Sequence, residues 1–358
     1  MSERLRPTAL DLEDERWMGR ALRVAATARL RTSPNPWVGA VLVTAGGAVF
    51  TGATAAPGGP HAERAALEAG SAAAGGRRAW AAGSTLYVTL EPCAHHGRTA
   101  PCTEAILAAG VSRVVVGVLD PDERVRGRGI AALEDGGVVV RIGVRGREVE
   151  HQLEPYLHHR RRGRPFVVLK LAATLDGRLA APDGSSRWIT GPAARRDAHR
   201  LRAESDAIAV GATTLRVDRP ALDVRGVPGA RSPRRLVVRS PAGDRGLGAV
   251  PEGFEVLEVP LGAALRRLGS EGVVQLLVEG GASTAHGFWS AGLVDRLVVY
   301  LAPALLGGSD GVPLLEGPGA PTMSGIWRSG FSSVRRLGDD LRLDVRGDGE
   351  AGGAVDAC

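Results

Sequence analysis

His61, Glu63, Cys93 and Cys102 have the types and spacing to do chemistry. One imidazole and two thiolates form a ligand set for zinc. Three protein ligands leave the fourth tetrahedral position open for water, as in catalytic and not structural sites. Binding to zinc brings the pKa of that water from about 15.7 to about 7, which makes a nucleophile for hydrolysis. Glu63 lies two residues from His61 and can face the same cleft without ligating, so its carboxylate is placed to move protons. His-x-Glu alone is common by chance. Followed by Glu91-Pro92-Cys93 at a strand end, with Cys102 opening the next helix, it is specific.

The second half offers different chemistry. Arg202 and Arg225 carry guanidinium forks that suit the oxygens of a sugar phosphate. The run Val278 to Gly287 joins a strand to a helix through small residues, so backbone N–H groups at the helix start can approach a phosphate. It lacks the Gly-x-Gly-x-x-Gly fingerprint and equally fits any strand-to-helix turn.

These residues need a scaffold. Trp17, Ala21, Val24 and Ala28 recur at helical spacing and predict a helix over 14–30. Short apolar runs at 37–43, 84–90, 112–118 and 138–142 read as strands, with helices over 61–69, 103–109 and 129–134 between them. Alternating strands and helices imply a layered α/β domain. The polar stretch 146–164 reads as a linker. Beyond it come a strand at 166–171, a hairpin signal at Asp176-Gly177, a helix over 192–203, and strands at 207–210, 235–239, 274–278 and 296–301. The Gly-rich end, 347–358, reads as a frayed tail.

At 358 residues the chain is expected to form two domains. It has no apolar run long enough to span a bilayer and no apolar signal core near its start, which predicts a cytoplasmic protein without a membrane partner. Three cysteines are too few for a disulfide framework. The net charge of +6 raises a nucleic-acid partner as an alternative, but the basic residues are Arg apart from Lys170, and no Arg run lies on a nucleic-acid-binding motif.

Eight residues separate Cys93 from Cys102, unlike the Pro-Cys-x-x-Cys of nucleoside, tRNA and cytosine deaminases. This loop, with Pro34 to Gly39, Tyr87 to Cys93, Lys170 to Arg178 and Ser186 to Gly191, resembles the bifunctional riboflavin-biosynthesis deaminase-reductase family, over Asp14 to Gly347. The resemblance implies an N-terminal cytidine-deaminase-like three-layer α/β/α domain over 10–145 and a C-terminal dihydrofolate-reductase-like α/β domain over 165–346. It implies hydrolytic deamination of a phosphorylated diaminopyrimidinone with zinc, then reduction of the ribosyl side chain to ribityl with NADPH. A nucleic-acid or nucleoside base deaminase with an accessory domain is the alternative.

By the same resemblance, Asn35, Ser186, Arg202, Leu222, Arg225 and Glu279 contact substrate, while His95 and Arg98 shape the substrate loop. Ala172, Trp188, Thr214, Asp218, Ser240 and the run Gly281, Ala282, Ser283, Thr284, Ala285, His286 and Gly287 contact NADPH. Ordinary core packing remains the other reading for Trp188 and Leu222. Ala100 and Arg219 depart from the family pattern, the latter placing a cation where an Asp is common; it either points outward or adds affinity for the anionic coenzyme. Relatives associate through the reductase domain, so a homo-oligomer is expected.

Overall fold

A capping box sets the start of helix α1 (Ala9–Ala26): the Asp11 N–H donates to the Thr8 hydroxyl, and the Asp11 carboxylate accepts from the Thr8 N–H. The helix expected over 14–30 therefore begins earlier, and it gives way to turns after Ala26. The computed structural model describes residues 8–75, 79–96, 100–239 and 250–347. Two units make up the chain, Met1–Arg162 and Gly163–Cys358.

In the first unit α1 is followed by β1 (Gly39–Val43), β2 (Val49–Ala53), α2 (Ala62–Ala73), β3 (Thr85–Leu90), α3 (Cys102–Ala109), β4 (Arg113–Val118), α4 (Arg128–Asp135), β5 (Val139–Ile142) and α5 (Gly146–Arg162). The sheet order is β2-β1-β3-β4-β5, with β3, β4 and β5 parallel and β1 antiparallel to both neighbours. Gly39 pairs with Ala53 and Gly52 with Ala40, so the two glycines face opposite sides of the sheet. A Cβ on Gly39 would strike the backbone of α1, and one on Gly52 the backbone of α2. Helices thus cover both faces, in the three layers expected.

Asp14 fastens α1 to this sheet. Its fully buried carboxylate accepts from Arg113 at 2.8 and 2.6 Å, from Arg141 at 2.7 Å and from the Tyr87 hydroxyl at 3.1 Å. The expected linker over 146–164 is instead helix α5. Val149, Leu153, Tyr156 and Leu157 recur at helical spacing and are buried, with α5 lying against β4 and α1. Pro155 and the surrounding His and Arg residues obscure that period in the sequence.

The second unit contains β6 (Phe166–Thr174), β7 (Arg178–Ala180), α6 (Pro192–Ala203), β8 (Ala207–Gly211), α7 (Ala212–Asp218), β9 (Arg234–Val238) and β10 (Phe254–Leu257). It continues through α8 (Leu261–Ser270), β11 (Gln275–Val278), α9 (Ala282–Ser290), β12 (Arg296–Ala302), β13 (Val312–Pro313), β14 (Phe331–Leu337) and β15 (Asp340–Arg346). Eight strands form one sheet in the order β10-β9-β8-β11-β6-β12-β15-β14, parallel as far as β12 and antiparallel at β15 and β14. Strand β6 is buried on both faces. Val167, Leu169 and Leu171 meet Leu265, Leu268 and Phe288, whereas Phe166 and Val168 meet Leu201 and Leu215.

The turn after β6 brings one departure. The chain does turn at Asp176-Gly177, but β7 pairs with β13 and not with β6. β6 pairs with β11 over Phe166–Leu169 and with β12 over Val168–Thr174, and the segment after the turn finds its partner in β13.

Two candidate active sites

His61 immediately precedes α2 in extended conformation, Cys93 follows the end of β3, and Cys102 begins α3. The His61 Nδ1 lies 3.6 Å from the Cys93 sulfur and 3.3 Å from that of Cys102, and all three donor atoms fall within 4.8 Å of one another. Donors at zinc bond lengths around a tetrahedral centre would be separated by roughly 3.3 to 3.8 Å, so the set fits zinc. A hydrogen bond with Cys102, assisted by His61, pulls the Cys93 thiol down to about 4 despite burial. The contact with Cys93, together with burial, pushes the Cys102 thiol up. Metal coordination deprotonates a thiol outright, so both sulfurs can serve as thiolate ligands.

Glu63 sits in the first turn of α2, only 4% exposed. Burial pushes its carboxyl up to about 7, against the pull of His61. A carboxyl poised there can both take and return a proton near neutral pH. Just beyond β3, buried Glu91 accepts from the N–H groups of Asp120, Gly127 and Gly129 at 3.3, 3.1 and 3.0 Å. Gly129 has no side chain to keep it from the Pro92 carbonyl. The segment after β4 is thereby tied beside the ligands.

The resulting cavity, of ≈ 310 Å³, is lined by His61, Glu63, Cys93, Asn35 and His95, as well as Asp120, Asp122, Arg124, Tyr156 and Arg160. Asn35 and His95 line the cavity, whereas Arg98 lies outside the described residues. Asp120, Asp122, Arg124, Tyr156 and Arg160 escaped the sequence reading. The buried apolar period of α5 was the available signal for the last two.

In the second unit a cavity of ≈ 920 Å³ is lined by Ala172, Ser186, Trp188, Arg202, Thr214, Asp218, Leu222, Arg225, Glu279 and Gly281, together with Lys170, Arg195 and Arg219. Arg202 does not stand open for a phosphate: its Nε and Nη2 donate to the two Glu279 oxygens at 2.7 and 2.8 Å. Lys170 Nζ approaches the same carboxylate at 3.9 Å. Burial favours a neutral Glu279, but the two cations outweigh it and hold the carboxyl below its usual value. Arg225 is exposed at the rim and donates from Nε to Asp223 at 2.7 Å.

Trp188 is 70% exposed, with the Arg195 guanidinium 4.4 Å from its ring centroid, so it belongs to the cavity wall and not to the core. Leu222 serves two surroundings, buried among Phe166, Val168 and Leu201 while one side lines the cavity. Its φ of +51°, and that of +41° at Arg219, place two non-glycine residues in the left-handed region on either side of Pro220 and Ala221. Arg219 lines the cavity and is exposed. Only Gly281 of the run 281–287 lines it too. Ala282 is buried, Ala285 enters the core beside Phe288, and Ser283, Thr284, His286 and Gly287 are off the wall. Gly281 is the N-cap of α9 with no side-chain cap, which leaves the first N–H groups of the helix for another acceptor. Ser240 lies outside the described residues.

Comparison with known proteins agrees with both geometries. The cytidine and deoxycytidylate deaminase zinc-binding region matches residues 12–118, and the RibD C-terminal domain matches residues 165–343. The riboflavin biosynthesis protein RibD of Escherichia coli is 38% identical over 94% of this chain and 100% of its own length. Its Mycobacterium tuberculosis counterpart is 39% identical, covering 92% of this chain and 96% of that one. Among solved structures, Acinetobacter baumannii RibD superposes with a TM-score of 0.84 at 32% identity, covering 94% of this chain and 99% of that one. A Thermotoga maritima diaminohydroxyphosphoribosylaminopyrimidine deaminase/5-amino-6-(5-phosphoribosylamino)uracil reductase gives a TM-score of 0.83 at 31% identity with the same coverage. With a zinc deaminase region in one unit, a RibD reductase domain in the other and relatives matched across both, the chain belongs to the RibD family of bifunctional riboflavin-biosynthesis deaminase-reductases.

Proposed function

We propose that the first unit deaminates diaminohydroxyphosphoribosylaminopyrimidine and that the second reduces the resulting 5-amino-6-(5-phosphoribosylamino)uracil at its ribosyl side chain to the ribityl product, with NADPH as hydride donor. In the first step a water oxygen adds to the ring carbon bearing the exocyclic amino group, the carbon–nitrogen bond breaks and ammonia leaves. The observation that carries this reading is the convergence of His61, Cys93 and Cys102 within 4.8 Å, with Glu63 buried two residues from the imidazole. Zinc held by the three would supply a Lewis acid that makes water nucleophilic. Glu63 takes the proton from the attacking water and passes it to the ring nitrogen and the departing amine. Asn35, on the same cavity wall, holds the pyrimidine or its ribose.

In the second unit the coenzyme carries the hydride chemistry and the protein positions it. Ala172, Trp188, Thr214, Asp218, Ser240 and the 281–287 segment hold NADPH, the last through its backbone at the start of α9. Ser186, Arg202, Leu222, Arg225 and Glu279 hold the substrate. Exposed Phe331 and Val334 on edge strand β14 support association of two copies through this unit. Among the described residues no helix is long and apolar enough to cross a membrane. Free thiols at Cys93 and Cys102 support action in the reducing cytoplasm.

The test supplies the zinc-loaded protein with the diamino compound and NADPH. Coenzyme oxidation that Glu63→Gln abolishes, and that pre-deaminated substrate restores in that variant, is the expected result. Oxidation unaffected by Glu63→Gln would overturn the order of the two steps.

A further inference from the structure

The residues assigned to deamination, His61, Glu63, Cys93 and Cys102, all lie within the 12–118 match to the deaminase region. Part of the first cavity's polar lining does not. Asp120, Asp122, Arg124, Tyr156 and Arg160 line the same cavity, and all follow residue 118. A core shared among deaminases supplies the reaction, and the segments after it supply features that suit one substrate.

This part of the lining is built around two guanidinium groups. Arg124 donates to both Asp122 oxygens, Nε at 3.0 Å and Nη2 at 2.7 Å. Arg160 Nε lies 3.8 Å from Asp122 Oδ2, beyond hydrogen-bond reach, and is buried with no hydrogen-bond partner. The Arg160 guanidinium carbon is 5.2 Å from the centroid of the Tyr156 ring, one turn earlier on α5, while the Tyr156 hydroxyl donates to Asp120 Oδ2 at 3.0 Å. One carboxylate thus stands between two cations, and one of those cations retains unused donor capacity. Buried donors without acceptors are costly, and a planar fork held this way matches a phosphate monoester.

We propose that Arg160, with Arg124, binds the 5'-phosphate of the substrate at the wall of the deaminase cavity and thereby selects the phosphorylated compound. This rests on the deaminase reading above. With the pyrimidine against Glu63 and the metal ligands, the phosphate is the far end of the substrate, and these arginines stand on the wall contributed by the later segments. Arg160 makes the larger contribution because its Nε lacks an acceptor, whereas Arg124 already bonds Asp122 twice.

The experiment compares ammonia release from the phosphoribosyl substrate and from its dephosphorylated ribosyl counterpart, using the zinc-loaded full chain. Wild type should favour the phosphorylated compound in kcat/KM. Arg160→Ala should reduce that preference roughly ten- to a hundredfold, the range for one charge-assisted hydrogen bond, chiefly through KM. Arg160→Lys should restore part of the preference, and Arg124→Ala should cost less. A preference unchanged in Arg160→Ala would overturn the assignment. So would an equal loss on both compounds, which would mark a structural role. If wild type shows no preference at all, the phosphorylated-substrate reading fails and the assignment falls with it; a clear wild-type preference that no arginine variant moves defeats the assignment alone.

Discussion

The two cavities divide chemistry differently between protein and bound group. In the first unit, a space of ≈ 310 Å³ is lined by His61, Cys93 and the buried Glu63, and the Cys102 sulfur lies within 4.8 Å of the first two. The second encloses ≈ 920 Å³, walled by main chain, small residues, an exposed Trp188 and the half-buried Arg202–Glu279–Lys170 cluster. A site whose reacting groups belong to the protein requires particular side chains at fixed separations. One that hosts a hydride-carrying coenzyme requires a shaped enclosure, and many side chains serve for that. Tolerance follows: the first site should fail abruptly on single changes, and the second should degrade by degrees.

The largest test of this contrast is removal of the metal. A chelator should stop ammonia release altogether yet leave NADPH oxidation with pre-deaminated substrate intact, and loss of both activities would break the separation of the two sites. Next in size is Glu63→Gln, expected to slow ammonia release about 10² to 10⁴-fold while zinc content by elemental analysis stays unchanged. A metal-free variant would show that Glu63 supports the ligands and not the proton transfer.

Buried charges allow a comparison of the scaffolds. Asp14→Ala leaves Arg113 and Arg141 without their shared carboxylate and should destabilise the first unit by about 3 to 5 kcal/mol. Urea unfolding followed by ammonia release and by NADPH oxidation would show whether the two units lose function together or apart. In the second unit, Arg202→Ala should raise the KM for the uracil substrate about tenfold and that for NADPH much less. Equal shifts would mean that the Arg202–Glu279 pair shapes the whole cavity.

The smallest effect is a pH dependence. Burial alone would raise the Asp14 and Asp197 carboxyls, but Arg113 for the first, and Tyr300 with Arg342 for the second, hold both below their usual value. A carboxyl lower in the folded than in the unfolded chain contributes stability that is complete above the unfolded value of about 3.9 and fades as pH falls toward the folded one. Asp14→Asn should therefore flatten the acid limb of the first unit's stability curve, measured by urea midpoints across that range. An unchanged limb would remove Asp14 from the acid-sensitive groups.

Sequence alone determined the zinc ligand set, the layered α/β character of both halves, and most strands. Ligand chemistry admits few residue types, and the near-continuous apolar run of a strand buried on both faces, such as β6, is written locally. Tertiary structure decided which later residues join those ligands. Arg160 sits in a run that reads as solvated, and only the packing of Val149, Leu153 and Tyr156 turns it toward the cavity. It also decided that Arg202 meets Glu279, 77 positions along the chain, before it can meet any phosphate. Pairing of charges brought together by the fold is set by distance in space, and local sequence carries no measure of that distance.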